Sequence, residues 1–395
     1  DKFDDLYCRY ESDESIPKST IGAQELILDL LKERSETGRI YIMNIDHCNS
    51  HSSFKDKVEM SNLCQEITLP TIPINHIDDH LGEIALCILS AVNVGKIRSD
   101  EELEDLCDLA VRGLEELIDY QDYPVKAAEL ATKARRSLGV GFIGLAHYLA
   151  KLGFDYDSQE AWDAVHGLAE SFQYYLLKAS NEVAKEKGWC ENFGRTKYSD
   201  GILPIDTYKK DVDEISSQEF QHDWESLRAS ILEHGLRHST LSAQMPSESS
   251  SVVCNATNGI EPPRDYLSIK KSKKGPLKQI VPSYGTLKNN YTLLWDMPNN
   301  TGYINIVSVM QKFFDQAISG NWSYNPEHYE NAEVPVSIMA QDFLTTYKYG
   351  WKTSYYQNTH DMKTDEINVE EQDKLGSLID ELSNATEEEC ESCAI

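Results

Sequence analysis

The sequence holds 395 residues, 40% of them hydrophobic, enough for one large α/β unit or for two to three average domains. Lys and Arg number 37 against 66 Asp and Glu, a formal charge of −29. That balance argues against a surface that tracks nucleic acid or anionic lipid, but leaves room for a phosphorylated small molecule held by a local nest of donors. No apolar run comes near the roughly 18 residues that span a bilayer, and the acidic, polar start is unlike a secretory signal. Nine cysteines, odd in number and irregular in spacing, suggest reduced thiols in a cytoplasmic setting rather than a disulfide framework. The chain begins in mid-pattern without a methionine, and the expectation is that something precedes it.

In chain order, Leu26, Ile27, Leu30 and Leu31 recur at helical spacing within 21–36, and Gly38 supplies a stop. Residues 39–44 read as a strand. Residues 83–94 are nearly all apolar, the pattern of a strand buried on both faces of a parallel sheet. Ser99, followed by Asp100, Glu101 and Glu102, predicts a helix start, with the helix running to Tyr120. Further helices are predicted over 125–137, 141–152, 159–187 and 218–234, then a strand over 236–245 that feeds a hydroxyl-rich loop. Residues 334–349 read as helix and 352–358 as extended chain. From about Asp361 the sequence turns acidic and loses its apolar period, as a flexible tail does. Strands alternating with helices predict a parallel α/β sheet or barrel.

Four features carry chemically capable groups. In Asn62-Leu63-Cys64-Gln65-Glu66 an amide, a thiol and a carboxylate occupy alternate positions, so an extended backbone would point all three one way. By itself the pentapeptide reads better as a surface loop that happens to hold a cysteine. Cys87 sits in the apolar run, where inert packing is the default. Met245 to Ser251, with Pro246, Ser247, Glu248, Ser249 and Ser250, is followed by an Asn255 to Pro263 stretch. Hydroxyls and backbone N–H groups ahead of a helix make an anion site without lysine, and an ordinary serine loop is an equal reading. Tyr355 and Tyr356 are adjacent in extended chain, and Cys390 and Cys393 form a CxxC on the tail. Such a pair suits thiol–disulfide exchange, whereas zinc would want two more ligands than the tail offers.

Together the segments NLCQEI, ALCILSAVNVG, MPSESSS, NATNGIEPPR and KTSYYQNT, with the terminal cysteine pair, stand in one order. That order resembles the large (α) subunit of class I ribonucleoside-diphosphate reductases. RIYIMNIDHCN, RRSLGVGFIGLAHYLAK, YYLLKASNEVAKEKG, GILPIDTYKK and GLRHSTLSAQMPSE between them are similar to the same family, so the likeness covers essentially the whole chain. The resemblance implies an α/β fold, the second half of a ten-stranded α/β barrel with flanking helices, over residues 1–360, and a flexible redox tail over 361–395. It implies that Cys64 becomes the thiyl radical that removes the substrate 3′ hydrogen, that Glu66 takes the 3′-OH proton, and that Asn62 binds the reacting sugar. Leu63 and Gln65 would complete the substrate contact. Cys87 would be one of two reducing thiols, and Pro246 to Ser250 would hold the substrate diphosphate. Tyr355 and Tyr356 would relay the radical from a small, di-iron tyrosyl subunit. Cys390 and Cys393 would re-reduce the active-site disulfide and pass it to thioredoxin or glutaredoxin. No cofactor or metal would be held by the chain itself.

Large subunits of this family are about twice this length, and the missing front would hold the regulatory nucleotide modules, the first half of the barrel and the partner of Cys87. A half-barrel leaves an apolar face and unpaired strand edges. The expectation is a split subunit assembled from two polypeptides, with a cut fragment of a longer protein as the other possibility. Cys8, Cys48, Cys107 and Cys190 lie outside the matching motifs, and Cys254, after the phosphate loop, is the one kept in reserve as a partner. His360 stands where the family pattern leads one to expect Arg, which puts local contacts of the tyrosine pair in question. A non-catalytic remnant that binds the small subunit would not need all these groups. A simple CxxC oxidoreductase would want a thioredoxin-like βαβ pattern around Cys390. Cobalamin-dependent and glycyl-radical reductases would not need the two tyrosines.

Overall fold

The computed structural model describes residues 2–272 and 275–360. The tail over 361–395, with Cys390 and Cys393, lies outside the described residues. Among the described residues no helix is long and apolar enough to cross a membrane.

The helix Ala23–Thr37 ends at Gly38, whose φ of 67° and close approach to the Gln357 carbonyl explain why glycine stands there. The strand expected over 39–44 shrinks to Ile42–Met43, paired antiparallel with Thr353–Ser354. Its first residues are bent out of extension, with Ile40 at φ 50°. The buried Arg34 guanidinium holds the Arg39 and Ile40 carbonyls in that bend.

Ile88–Asn93 and Leu138–Ile143 form a parallel pair, in register from Ile88↔Leu138 to Asn93↔Ile143. The connection between them carries the helices Asp100–Tyr120, capped by the Ser99 hydroxyl, and Lys126–Arg135. The strand Leu138–Ile143 replaces the start of the helix predicted over 141–152, which begins only at Leu145. Two glycines hid it. A Cβ on Gly139 would lie 2.6 Å from Leu89 Cδ2, and one on Gly141 2.6 Å from the Ala243 carbonyl. The Leu89 and Cys87 side chains at Gly139, and the Ala243 backbone at Gly141, come too close for a side chain there.

The predicted 236–245 strand is present only as bridges. Val140 pairs with Ser242 and Gln244 with Ile318, both parallel. The Tyr355 N–H then donates to the Gly320 carbonyl, and Trp322–Tyr324 pairs in parallel with Gln357–Thr359. Parallel segments thus follow one another across the molecule, but no closed sheet forms among the described residues. Leu267–Ser272 and Gly275–Ile280 make a separate antiparallel hairpin. The helix predicted over 218–234 begins at Trp224, where Asp223 caps it.

The 29-residue helix Gln159–Lys187 packs behind these segments, between Asp100–Tyr120 and Thr301–Gln311. Phe142, Phe172 and Phe314 meet at its centre, with ring centroids 4.6 and 5.6 Å from Phe142. The opposite side differs from the expectation of a strand buried on both faces. Leu89 within the strand is 42% exposed and Leu86 just before it 38%, so Ile88–Asn93 is not buried on both faces.

The segments are pinned by one carboxylate. Asp315, 3% exposed, accepts from the backbone N–H groups of Leu241 and Ser242 at 2.9 Å each and from the Tyr198 hydroxyl at 2.8 Å. Replacing it strands those buried donors. Asp315→Ala is expected to cost at least about 3 kcal/mol in urea unfolding, and a loss below about 1 kcal/mol would show that the segments hold together without it.

Candidate active site

Residues 62–67 form a tight turn, which corrects the extended reading. Gln65 has a φ of 70°, its N–H donates to the Asn62 carbonyl at 3.2 Å, and the Ile67 N–H donates to the Asn62 side-chain oxygen at 3.0 Å. The turn leaves Leu63 at the tip, 76% exposed, and folds Glu66 inward to 3% exposure. Cys64 is half-buried between them.

The turn is fastened to the segment 316–319. The Ala317 N–H donates to the Glu66 carbonyl at 3.0 Å. Ser319 Oγ lies 2.5 Å from the Cys64 carbonyl and 3.3 Å from Glu66 Oε2. Burial raises the Glu66 carboxyl above the ordinary carboxylate range, opposed by hydrogen bonds from Asn62 and Ser319. A carboxyl raised in this way suits a proton acceptor.

Cys87 lies one residue before the Ile88–Asn93 strand rather than inside it. Its sulfur accepts from Gln316 Nε2 at 3.4 Å. Burial pushes this thiol up to about 12, the Gln316 N–H opposes the shift, and the charges of Asp315 and Glu66 add to it. Cys87 is therefore within electrostatic reach of Glu66. Cys48, Cys107 and Cys190 are buried packing residues, and Cys254 is exposed at the end of Glu248–Val253.

The segment from Pro246 to Ser250 continues directly from the 240–244 run. Ser247 is the N-cap residue of Glu248–Val253, so part of the expected loop is itself the first helical turn. The Ser247, Ser250 and Ser251 hydroxyls donate to the carbonyls of Met245, Ser247 and Ser247. Each hydroxyl oxygen keeps acceptor capacity only, so these hydroxyls have no proton left for an anion.

The rings of Tyr355 and Tyr356 lie with centroids 4.1 Å apart, tilted by 51°. The Tyr355 hydroxyl donates to Cys64 Sγ at 3.6 Å, and Tyr355 is 6% exposed where Tyr356 is 36% exposed. The pair therefore runs from the surface to the turn. Burial and hydrogen bonds to Tyr356 and Cys64 push the Tyr355 phenol up, whereas hydrogen bonds from Tyr355 and Tyr41 pull Tyr356 down.

Two residues of this arrangement escaped the sequence. Tyr41 packs on both tyrosines, at 4.7 and 5.4 Å. Arg34 donates to the Tyr355 carbonyl at 2.9 Å and the Tyr356 carbonyl at 3.2 Å, with its guanidinium 4.5 Å from the centre of the Trp322 ring. Burial brings Arg34 down to about 10. A charged residue inside the predicted helical face was the available signal for Arg34, and the RIYIMN strand motif for Tyr41. His360, the departure from the expected pattern, donates its N–H to the Tyr324 carbonyl at 2.9 Å and packs on Trp295, away from both tyrosine rings. No group of three or more His, Cys, Asp or Glu able to hold a metal occurs among the described residues.

Residues 1–357 match the family model described as the ribonucleotide reductase barrel domain. The chain belongs to that family. It is similar to the ribonucleoside-diphosphate reductase α subunit of Haemophilus influenzae, 57% identical over 364 residues, 91% of this chain and 48% of the relative. The subunit 1 α protein of Escherichia coli K12 is 55% identical over 91% of this chain and 48% of its own length. The α subunit of phage T4 is 42% identical over 94% and 49%. The chain thus spans about half the length of the curated relatives it matches.

Two predictions follow from the geometry. Glu66 binds its proton more tightly folded than unfolded, so the stability it contributes is complete below the unfolded value and is lost as pH rises through the folded one. Glu66→Gln should therefore raise unfolding free energy by about 1 kcal/mol near pH 8 and change little near pH 4. Equal effects at both pH values in thermal melts would contradict the raised carboxyl. Arg34→Met should cost about 3 kcal/mol in chemical unfolding, because several buried carbonyls lose their donor at once.

Proposed function

We propose that this chain carries the catalytic part of a ribonucleoside-diphosphate reductase, converting ribonucleoside diphosphates to 2′-deoxyribonucleoside diphosphates by thiyl-radical chemistry. The observation that carries this reading is the Tyr356–Tyr355–Cys64 line, which ends at a thiol beside a buried carboxyl and an amide. Oxidisable side chains at stacking distance suit stepwise radical transfer, and Tyr356 at the surface is positioned to meet a separate small subunit that supplies the radical.

In this reading Cys64 removes the 3′ hydrogen, Glu66 accepts the 3′-OH proton, and Asn62 orients the sugar. Leu63 and Gln65 line the substrate from the same turn. The first turn of Glu248–Val253, with Pro246, Ser247, Glu248, Ser249 and Ser250, holds the diphosphate through backbone N–H groups. Cys87 supplies one of two reducing thiols. Cys390 and Cys393 regenerate it and are in turn reduced by thioredoxin or glutaredoxin, residues 361–395 being the redox tail and 1–360 the catalytic unit. The open apolar face at Leu86 and Leu89 is the surface against which an N-terminal half of the subunit would complete the barrel. The chain spans about half the length of those relatives.

The test is reconstitution. The chain alone, and mixed with an N-terminal polypeptide and the small subunit, is assayed for reduction of a ribonucleoside diphosphate with dithiothreitol or thioredoxin. Activity is expected only in the full mixture, with Cys64→Ser and Tyr356→Phe each lowering it by at least about a thousandfold. Activity of the chain alone would overturn the split arrangement. A stable but inactive mixture would make the chain a regulatory remnant instead.

A further inference from the structure

We propose that Gln316 is a positioning residue for Cys87: its side-chain amide holds the sulfur as a hydrogen-bond acceptor, favours the thiolate, and couples that thiol to the turn that bears Cys64 and Glu66. The inference rests on the reading of Cys87 as a reducing thiol, but its geometry stands apart from that reading.

The orientation of the amide is dictated by its other two neighbours. Gln316 Oε1 accepts from the Thr68 backbone N–H at 3.3 Å, a group that can only donate. Gln316 Nε2 donates to the Leu138 carbonyl at 2.9 Å, a group that can only accept. A flipped amide would set oxygen against oxygen and N–H against N–H, so the second Nε2 proton has to face Cys87 Sγ, 3.4 Å away. The residue itself is clamped. Its N–H donates to the Ser242 carbonyl at 3.1 Å, and its carbonyl accepts from Gln311 Nε2 at 2.9 Å and Lys352 Nζ at 2.8 Å. Gln316 is fully buried, so water does not compete for the amide.

The surroundings of the sulfur give this contact its weight. The charged groups that act on Cys87 are Asp315 and Glu66, and both disfavour a thiolate. A Cβ on Gly139 would lie 3.0 Å from Sγ, so that wall offers only bare backbone. Among the described groups acting on the thiol, the Gln316 amide is the one that favours its ionised form. When a dithiol reductant opens a disulfide at Cys87, its thiolate bonds to the partner sulfur, the old S–S bond breaks, and the electron pair departs on Cys87 Sγ. The amide N–H is already aimed at that sulfur. Thr68 lies two residues beyond Glu66 in the chain, so the same side chain that steadies the leaving thiolate also anchors the turn.

The experiment follows iodoacetamide alkylation of Cys87 by peptide mass spectrometry in the full chain, between about pH 7 and 10, with exposed Cys8 and Cys254 as internal clocks. In Gln316→Glu a neutral buried carboxyl can still accept from Thr68 and donate to Leu138, leaving no proton for the sulfur. The expected result is a fall of about tenfold in the Cys87 rate, with Cys64 unchanged relative to the clocks. An unchanged Cys87 rate in a folded Gln316→Glu chain would overturn the proposal. Should that variant not fold, the S–H Raman band of Cys87 is isolated as the difference between the unaltered chain and Cys87→Ser. A band at the position of a thiol without a donor would overturn the inference, and a shifted band supports it. The functional reading fails separately, if Cys87→Ser leaves reductase activity intact in the reconstituted mixture.

Discussion

A buried carboxylate has to be surrounded by donors, and that requirement at Asp315 organises this molecule. Its oxygens take the backbone N–H groups of Leu241 and Ser242 and the Tyr198 hydroxyl, so three separate stretches of chain meet at one residue. Everything chemically interesting hangs on the next five positions. Gln316 contacts Cys87, Ala317 holds the Glu66 carbonyl, Ser319 reaches both Glu66 and the Cys64 carbonyl, and Gly320 accepts from Tyr355. One short strip therefore sets the relative positions of the amide–thiol–carboxyl turn, the second thiol and the tyrosine pair. Geometry fixed in this way does not depend on long, mobile side chains.

Desolvation acts on the site in one direction. It raises Glu66 and Cys87 alike, keeping both protonated at higher pH than they would be in water. For a carboxyl proposed to take up a proton, that is a gain. For a thiol proposed to leave as a thiolate it is a cost, and the charges of Asp315 and Glu66 deepen it. A neutral donor is the compatible remedy, because a lysine or arginine beside Cys87 would also lower Glu66 and weaken it as a base.

Helices with clear caps and apolar periods were legible in the sequence. Ser99 and Asp100–Tyr120, Gln159–Lys187, and Gly38 as a helix stop all stand where the pattern placed them. The strand Leu138–Ile143 was not legible, because Gly139 and Gly141 are there for close approach of Cys87, Leu89 and Ala243, and a local reading cannot see those partners. Residues 236–245 were read as a strand, yet Asp315, 74 and 73 positions further on, takes the N–H groups of Leu241 and Ser242 in place of a neighbouring strand. The candidate site residues were read from the sequence by type, and the extended backbone expected for 62–66 is replaced by a turn with a positive φ at Gln65. Arg34 and Tyr41 were missed because their partners are more than 300 residues away in the chain.

The handling of the tyrosines follows the same logic as that of the thiols. Arg34 is buried and charged, yet it binds the backbone carbonyls of Tyr355 and Tyr356 rather than their hydroxyls. A guanidinium on a phenol oxygen would stabilise the phenolate and tie down the proton that the proposed radical transfer would move. Placed on the carbonyls, it fixes the backbone and leaves the hydroxyls to each other, to Tyr41 and to Cys64 Sγ. Its remaining face is satisfied by the Trp322 ring, so the charge is accommodated without a carboxylate beside the tyrosines. In the proposed relay the rings would exchange protons and electrons at a spacing set by backbone contacts, with the Arg39 charge acting on Tyr41 and Tyr356. A scaffold of backbone contacts around phenol, amide and thiol groups is the common feature of the tyrosine line and of the Cys87–Gln316 contact.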